Sequence, residues 1–423
     1  MKDITAGSAS LNIAGSCARK DTVGWYISAL ILLFVLVFRV RYDIYDLSGP
    51  LLLLAVLLLI KSRHVPAFVV QGTLVMLFLT SYVLIVSIFA EPAHNPDALL
   101  IAKFVRATVS FLCVAVLIWW LTRSYGRWEE FRRFHYMLAG VLALHPVVMV
   151  AQLSIPELNI WMADNLESAG HFHVERARGL ANGTSSGGAF LGFIGLYYFY
   201  LAHRYRSALL FVGALCLLPL YPASALAGLA PWSIGALYWL VRGGYGRKKE
   251  LGLLFVGCAG LVMLFALSAH YPHFSVLDRV DMAGDRLAAL VGDKPEPVSH
   301  GDPRRSLEKL KDSVSLPAQS RVWQWVFGNA HERGSARSFQ SDMGWVRFAH
   351  VYGILGTFLM IGGIVWFGFS ARAVLPWLFI LAFLVLQFKN HYLFGRMFFD
   401  LFFVWFSIAV MERLAVLRLR RVV

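Results

Sequence analysis

The chain has 423 residues, 58% of them hydrophobic and only 15% charged, and it carries a formal net charge of +14. So few charged groups would leave a soluble surface of this size unhydrated, which excludes a soluble globular enzyme and points to an integral membrane protein. The positive excess then reads as anchoring against anionic lipid headgroups plus a cationic cap on one face, with no nucleic-acid partner called for.

In chain order, residues 1–23 are polar and rich in Ser, Gly and Ala, without a small-residue cleavage site behind a short apolar core. They read as a disordered cytoplasmic tail, with the first span acting as its own insertion signal. Hydropathy then predicts spans at 24–40, 44–60, 65–90, 98–122, 135–153, 184–202, 207–222, 225–241, 251–269, 345–369, 374–388 and 393–412. The expected fold is an all-α integral membrane protein of about twelve transmembrane helices. Nine spans fill 24–269 around an outer loop at 154–183, a large helical outer loop covers 270–344, and three spans at 345–412 lead into a basic tail, 413–423.

Lys and Arg set the orientation. Alternate connections hold Arg19 and Lys20, Lys61 and Arg63, Arg123 to Arg133, Arg204 and Arg206, Arg242 to Lys249, Arg372, and Arg413 to Arg421. By the positive-inside rule this set is cytoplasmic, and the long basic segment is outside because long loops translocate whatever their charge. Cys17, Cys113, Cys216 and Cys258 fall in the tail or in apolar spans, with no disulfide framework and no zinc-ligand spacing.

Two outer segments carry the chemistry. In the first, Arg176 and Arg178 stand just before a Gly/Ser-rich entry into span six, where glycine lets backbone N–H groups approach an anion closely. The same arginines also suit simple anchoring at headgroup level. His171 and His173 make half of a metal site and lack a second pair of ligands. In the second segment, the first half mixes both signs of charge and reads as two amphipathic surface helices around a Pro/Gly break, a solvated lid. Its second half sets Arg321 beside Trp323 and Trp325, then Arg333, Arg337 and Arg347 around Asp342. An interfacial aromatic belt accounts for the tryptophans, whereas four clustered arginines suit bidentate capture of phosphate or carboxylate.

Arg176 is followed by ten residues and Gly187, and Arg333 by ten residues and Gly344. This paired Arg-x10-Gly pattern, one copy in each of two large outer loops, resembles the bacterial O-antigen polymerases. The stretch from Asp342 to Gly353-x-x-Gly356 resembles the motif shared by the O-antigen polymerase and ligase superfamily. Ligases carry His-Asn where this chain has Asp342-Met343, so the resemblance favours the polymerase branch over transfer of finished glycan to lipid A core.

The resemblance implies an inner-membrane glycosyltransferase whose active site faces the periplasm and which joins repeat units carried on undecaprenyl diphosphate. It implies no nucleotide sugar and no metal cofactor, because guanidinium groups can neutralise the departing diphosphate. The implied partners are the lipid-linked oligosaccharide and membrane lipids, with a chain-length regulator as an optional third. The clamp falls to Arg176 and Arg321, with Arg178 and Arg333 next, and Arg337, Arg347, Gly187 and Gly344 join the substrate-binding set, for which Lys103 and Arg106 are further candidates. Two roles stand side by side for Asp342: base toward the acceptor hydroxyl, or ion-pair partner of Arg337 or Arg347.

Within the spans, Arg396 and Asp400 are four apart and can pair on one helix face. Lys103 and Arg106 either snorkel or help hold a lipid diphosphate. His145-Pro146 reads as a kink beside a satisfied histidine. A transporter or flippase of a lipid-linked saccharide is the competing class, disfavoured by the absence of a repeat between the two halves and by cations gathered at one face.

Overall fold

The computed structural model describes residues 23–38, 48–62, 65–89, 98–125, 128–165, 177–181, 184–242, 322–328, 344–387 and 396–422, and every regular element among them is helical. In order these are α1 (Val23–Phe38), α2 (Ser48–Ser62), α3 (Ala67–Phe89), α4 (Ala98–Thr122), α5 (Trp128–Ser154), α6 (Pro156–Asn165), α7 (Thr184–Tyr205), α8 (Ala208–Leu215) and α9 (Leu220–Ala223). A 3-10 turn (Leu226–Gly228) leads into α10 (Leu229–Arg242), and α11 (Val322–Phe327), α12 (Gly344–Ala371), α13 (Val374–Leu386) and α14 (Arg396–Val422) follow.

Four helical stretches, Ala67–Phe89, Leu100–Thr122, Trp128–Ser154 and Phe348–Ala371, are long and apolar enough to cross a membrane. Their neighbours α1, α2 and α13 are apolar but shorter. Leu53, Leu57, Ile60, Leu74, Phe78 and Ile88 of α2 and α3 all point outward and are more than half exposed. An apolar surface of that extent is unfavourable in water and at rest in hydrocarbon, as a helical membrane protein requires.

At the centre, α7 is buried without interruption from Ala189 to Ala202, and α14 from Met397 to Glu412. A helix enclosed on every side needs no polar stripe, which is why these two read as apolar all round. Aromatic rings fill the joint: Phe193 stacks on Phe379 at 4.3 Å and Tyr197 on Trp405 at 4.9 Å, while Phe111 meets Phe367, Phe403 and Phe406.

The apolar run at 207–222 is not one span. Helix α8 stops at Leu215 after 8 residues, about 12 Å at the usual rise. A turn, the short α9 and the 3-10 turn follow, with Pro219 and Pro222 unable to donate the N–H that a continuous helix needs. These pieces wrap α7, and at Gly192 a Cβ would come within 2.1 Å of the Gly228 carbonyl oxygen. Two helices instead exceed their predicted spans, α5 starting at Trp128 and α14 running to Val422. Their extra turns are charged, Glu129 and Glu130 at the start of α5 and Arg413 to Arg421 at the end of α14, so hydropathy does not register them. The predicted span at 251–269 lies outside the described residues.

Of the cations assigned to alternate connections, Arg123, Arg204, Arg413 and Arg418 lie at one end of the bundle among the described residues. Arg204 of α7 grips Glu412 of α14 with two nitrogens at 3.0 Å each, and His135 of α5 bridges Glu412 Oε1 at 2.9 Å to the Tyr197 hydroxyl at 2.6 Å. A forked, nearly buried pair of this kind ties three helices together with its charges compensated. Arg204 also lies over the Trp128 ring, Arg418 reaches the carbonyl of Arg123, and Arg413 reaches that of Ser370. The end of α5 and the start of α7 lie at the opposite end.

Candidate anion-binding site

On α5, His145 and Gln152 are seven residues apart, two helical turns, and therefore share a face. Both are buried, and both hold the segment 177–181 rather than solvent. Gln152 Oε1 accepts the backbone N–H of Arg178 at 3.0 Å and of Gly179 at 2.8 Å, while its Nε2 donates to the Met162 sulfur of α6 at 3.2 Å. His145 Nδ1 accepts the Leu180 N–H at 3.1 Å, and Nε2 donates to the Gly187 carbonyl at 3.1 Å. With one ring nitrogen accepting and the other donating, the imidazole is held as the neutral Nε2–H tautomer. The reading of a satisfied histidine at this position is borne out.

The strap leaves no room beneath it. A Cβ on Gly179, whose φ is +63°, would meet the His145 ring at 2.5 Å, and one on Gly187 would stand 2.4 Å from the Arg178 carbonyl oxygen. Gly187, the glycine of the first Arg-x10-Gly copy, therefore serves as the seat of the Arg178 turn.

Arg178 itself is the unusual residue. It is 4% exposed, and its Nε and Nη2 are buried without a hydrogen-bond partner among the described residues. No carboxylate among the described residues pairs with it. Burial pulls its pKa below the ordinary arginine value, yet a guanidinium stays protonated in proteins. A desolvated cation without a counter-charge costs several kcal/mol, about the penalty that an arriving anion removes. The nearby start of α7 adds the partial positive charge of a helix N-terminus. The arrangement can bind a phosphate or carboxylate through the edge of a guanidinium fixed by its own backbone.

A second feature lies where α11 meets α12. Helix α12 is interrupted at Gly353, at φ 67° and ψ 179°, and the break receives the end of α11. The Tyr82 hydroxyl of α3 donates to the carbonyls of Phe327 at 3.2 Å and Tyr352 at 2.8 Å, closing the joint. A Cβ on Gly356 would strike the Tyr82 ring at 2.6 Å. The Gly353-x-x-Gly356 motif thus has a backbone role in this chain: one glycine admits α11 and the other admits Tyr82.

Of the candidate residues, Arg178 and Gly187 are brought together. Lys103 and Arg106 are half-buried on α4 on either side of Phe104, whose ring meets Tyr352 at 5.7 Å. Gly344 is the first residue of α12; Arg347 lies in its first turns, its side chain undescribed. Arg176, Arg321, Arg333, Arg337 and Asp342 lie outside the described residues, as do His171, His173 and the predicted lid. The Asp400 carboxylate takes the Ser110 hydroxyl across α4 and α14, a partner that a reading along one helix does not reveal. Sequence reasoning passed over Gln152 and Tyr82, and also Gln387, whose carboxamide is buried with neither end bonded among the described residues. The signal for Gln152 was the seven-residue spacing from His145.

Gln152→Leu preserves volume and leaves two buried N–H groups unsatisfied. We expect a loss of about 2–4 kcal/mol in unfolding free energy, read as an earlier thermal transition of detergent-solubilised protein.

Comparison of the chain with family models, with curated proteins and with solved structures returns no match.

Proposed function

We propose that the chain is a membrane glycosyltransferase of the O-antigen polymerase type, joining repeat units carried on undecaprenyl diphosphate at the periplasmic face of a bacterial inner membrane. In this reading about twelve helices cross the bilayer, the Arg178 end faces the periplasm and the Lys61 end the cytoplasm. The observation that carries it is the buried guanidinium of Arg178, without a counter-charge among the described residues, seated on the glycine of an Arg-x10-Gly copy.

The chemistry follows from charge. An acceptor hydroxyl oxygen attacks the anomeric carbon, the bond from that carbon to the diphosphate oxygen breaks, and the diphosphate leaves with the electron pair. The hydroxyl proton passes to Asp342 or to solvent. Negative charge on the leaving group grows along the reaction, so a preorganised cation stabilises the transition state more than the ground state. At an effective dielectric near 20, unit charges about 4 Å apart interact by about 4 kcal/mol, roughly a thousandfold in rate. Arg176 and Arg321 are assigned to the clamp, with Arg178 and Arg333 beside them.

The broken helix α12 favours a second reading, transport of the same lipid-linked saccharide, because transporters use discontinuous helices at their substrate sites. One experiment separates them. Purified protein in liposomes, given a polyprenyl-diphosphate-linked repeat unit, should yield a ladder of longer lipid-linked glycans. Passage of the unit across the bilayer without new glycosidic bonds would instead make the protein a transporter, and glycan appearing only on added lipid A core would make it a ligase.

A further inference from the structure

At the end of the bundle opposite Arg178, cations from α2, from the residue that follows α4 and from α14 are linked through Trp120 and the Arg123 carbonyl. Lys61 closes α2, and its Nζ lies 5.8 Å above the Trp120 ring of α4. Arg123, just beyond α4, stacks its guanidinium on the same ring at 3.4 Å and reaches Trp119 at 5.7 Å. Arg418 of α14 donates to the Arg123 carbonyl at 3.2 Å. None of the three has a carboxylate partner among the described residues, whereas the nearby Glu412 is already committed to Arg204 and His135.

Each contact leaves binding capacity unused. A guanidinium lying flat on an indole engages the ring through its face, and its N–H donors point outward in its own plane. An ammonium over the ring keeps donors directed away from it. An anion bound at this corner would gain attraction from all three charges. The surface leading to it is apolar: Leu53, Leu57 and Ile60 of α2, at 61%, 54% and 68% exposure, lie at i, i+4 and i+7 on one face. A phosphate flanked by an exposed apolar helix face matches a lipid better than a soluble ion.

We propose that Lys61, Arg123 and Arg418 with Trp120 form a binding site for the phosphate of an anionic diacyl phospholipid, whose acyl chains lie along the exposed face of α2. The site is distinct from the Arg178 site and does not depend on the glycosyltransferase reading. Cation clusters between helices near a charged leaflet hold lipid headgroups in this way, and two such cations account for about a thirtyfold difference in affinity.

The test is lipid retention by the full chain in detergent, measured by native mass spectrometry with phosphatidylglycerol and phosphatidylcholine as probes. Wild type should retain phosphatidylglycerol preferentially, and Lys61→Gln with Arg123→Gln should weaken that retention about thirtyfold. The charge-matched pair Arg206→Gln with Arg242→Gln should stay within about twofold of wild type. Should the first pair fail to fold, Lys61→Gln alone, at an exposed position, should still show about a fivefold loss. Equal losses in both pairs would overturn the site in favour of a general field. So would wild type showing no preference for phosphatidylglycerol, or millimolar inorganic phosphate displacing the lipid completely, which would identify a soluble anion as the ligand.

Discussion

Arg178→Met should make the protein more stable and inactive. Methionine keeps the stem packing of a residue that is 4% exposed, while removing a charge that has no partner among the described residues. Relieving an uncompensated buried cation should raise the unfolding free energy by about 1–3 kcal/mol, seen as a later melting transition in detergent. Turnover should fall roughly a thousandfold, the rate equivalent of one lost cation beside the leaving group. A residue kept for structure behaves in the opposite sense, because its removal costs stability first. Arg178→Lys should also be strongly impaired, since an ammonium cannot make the two parallel bonds that a guanidinium offers to a phosphate. The opposed movement of stability and activity is the mark of a site whose strain serves function.

Gly353→Ala should cost about 3–5 kcal/mol, among the largest losses available to a single methyl group in this chain. At φ 67° and ψ 179° the backbone sits in a region that only glycine occupies without strain. The added Cβ would also meet the Gly328 nitrogen and the Val326 carbonyl oxygen at 2.4 Å each, both backbone atoms that cannot rotate aside. Helix α11 must then lift from the break, and the Tyr82 bond to the Phe327 carbonyl goes with it. Gly362→Ala, nine residues further along the same helix with nothing within 4 Å of its Cβ, is the control. It should stabilise by roughly 0.5–1 kcal/mol through helix propensity. Thermal unfolding of the two variants side by side separates a glycine required by the fold from one that is not.

What was legible in the sequence follows from what hydropathy measures. It reports composition within a window, so the long apolar helices α3 and α4 emerge within two residues of their ends. It does not report continuity, which is why the proline-broken stretch after Ser207 passed as a span. Arg178 was visible as a cation next to glycines, but its burial was not. That burial is imposed by Gln152 and His145, residues 26 or more positions away along the chain, and only the fold brings them onto the turn. The glycine motif drew a resemblance based on spacing, while its physical content, a helix break occupied by α11, depends on a segment outside the motif. The Ser110 hydroxyl reaching the Asp400 carboxylate across α4 and α14 is a long-range contact of the same kind.

In the proposed reading the guanidinium of Arg178 is kept unpaired for a diphosphate. That reading is tested most directly by the affinity of undecaprenyl diphosphate for detergent-solubilised wild type and for Arg178→Met, read from the ligand-induced rise in melting temperature. Wild type should show a concentration-dependent rise, and the variant, which itself melts higher without ligand, an apparent Kd weakened about a hundredfold or more. Equal affinity in the two proteins would contradict it.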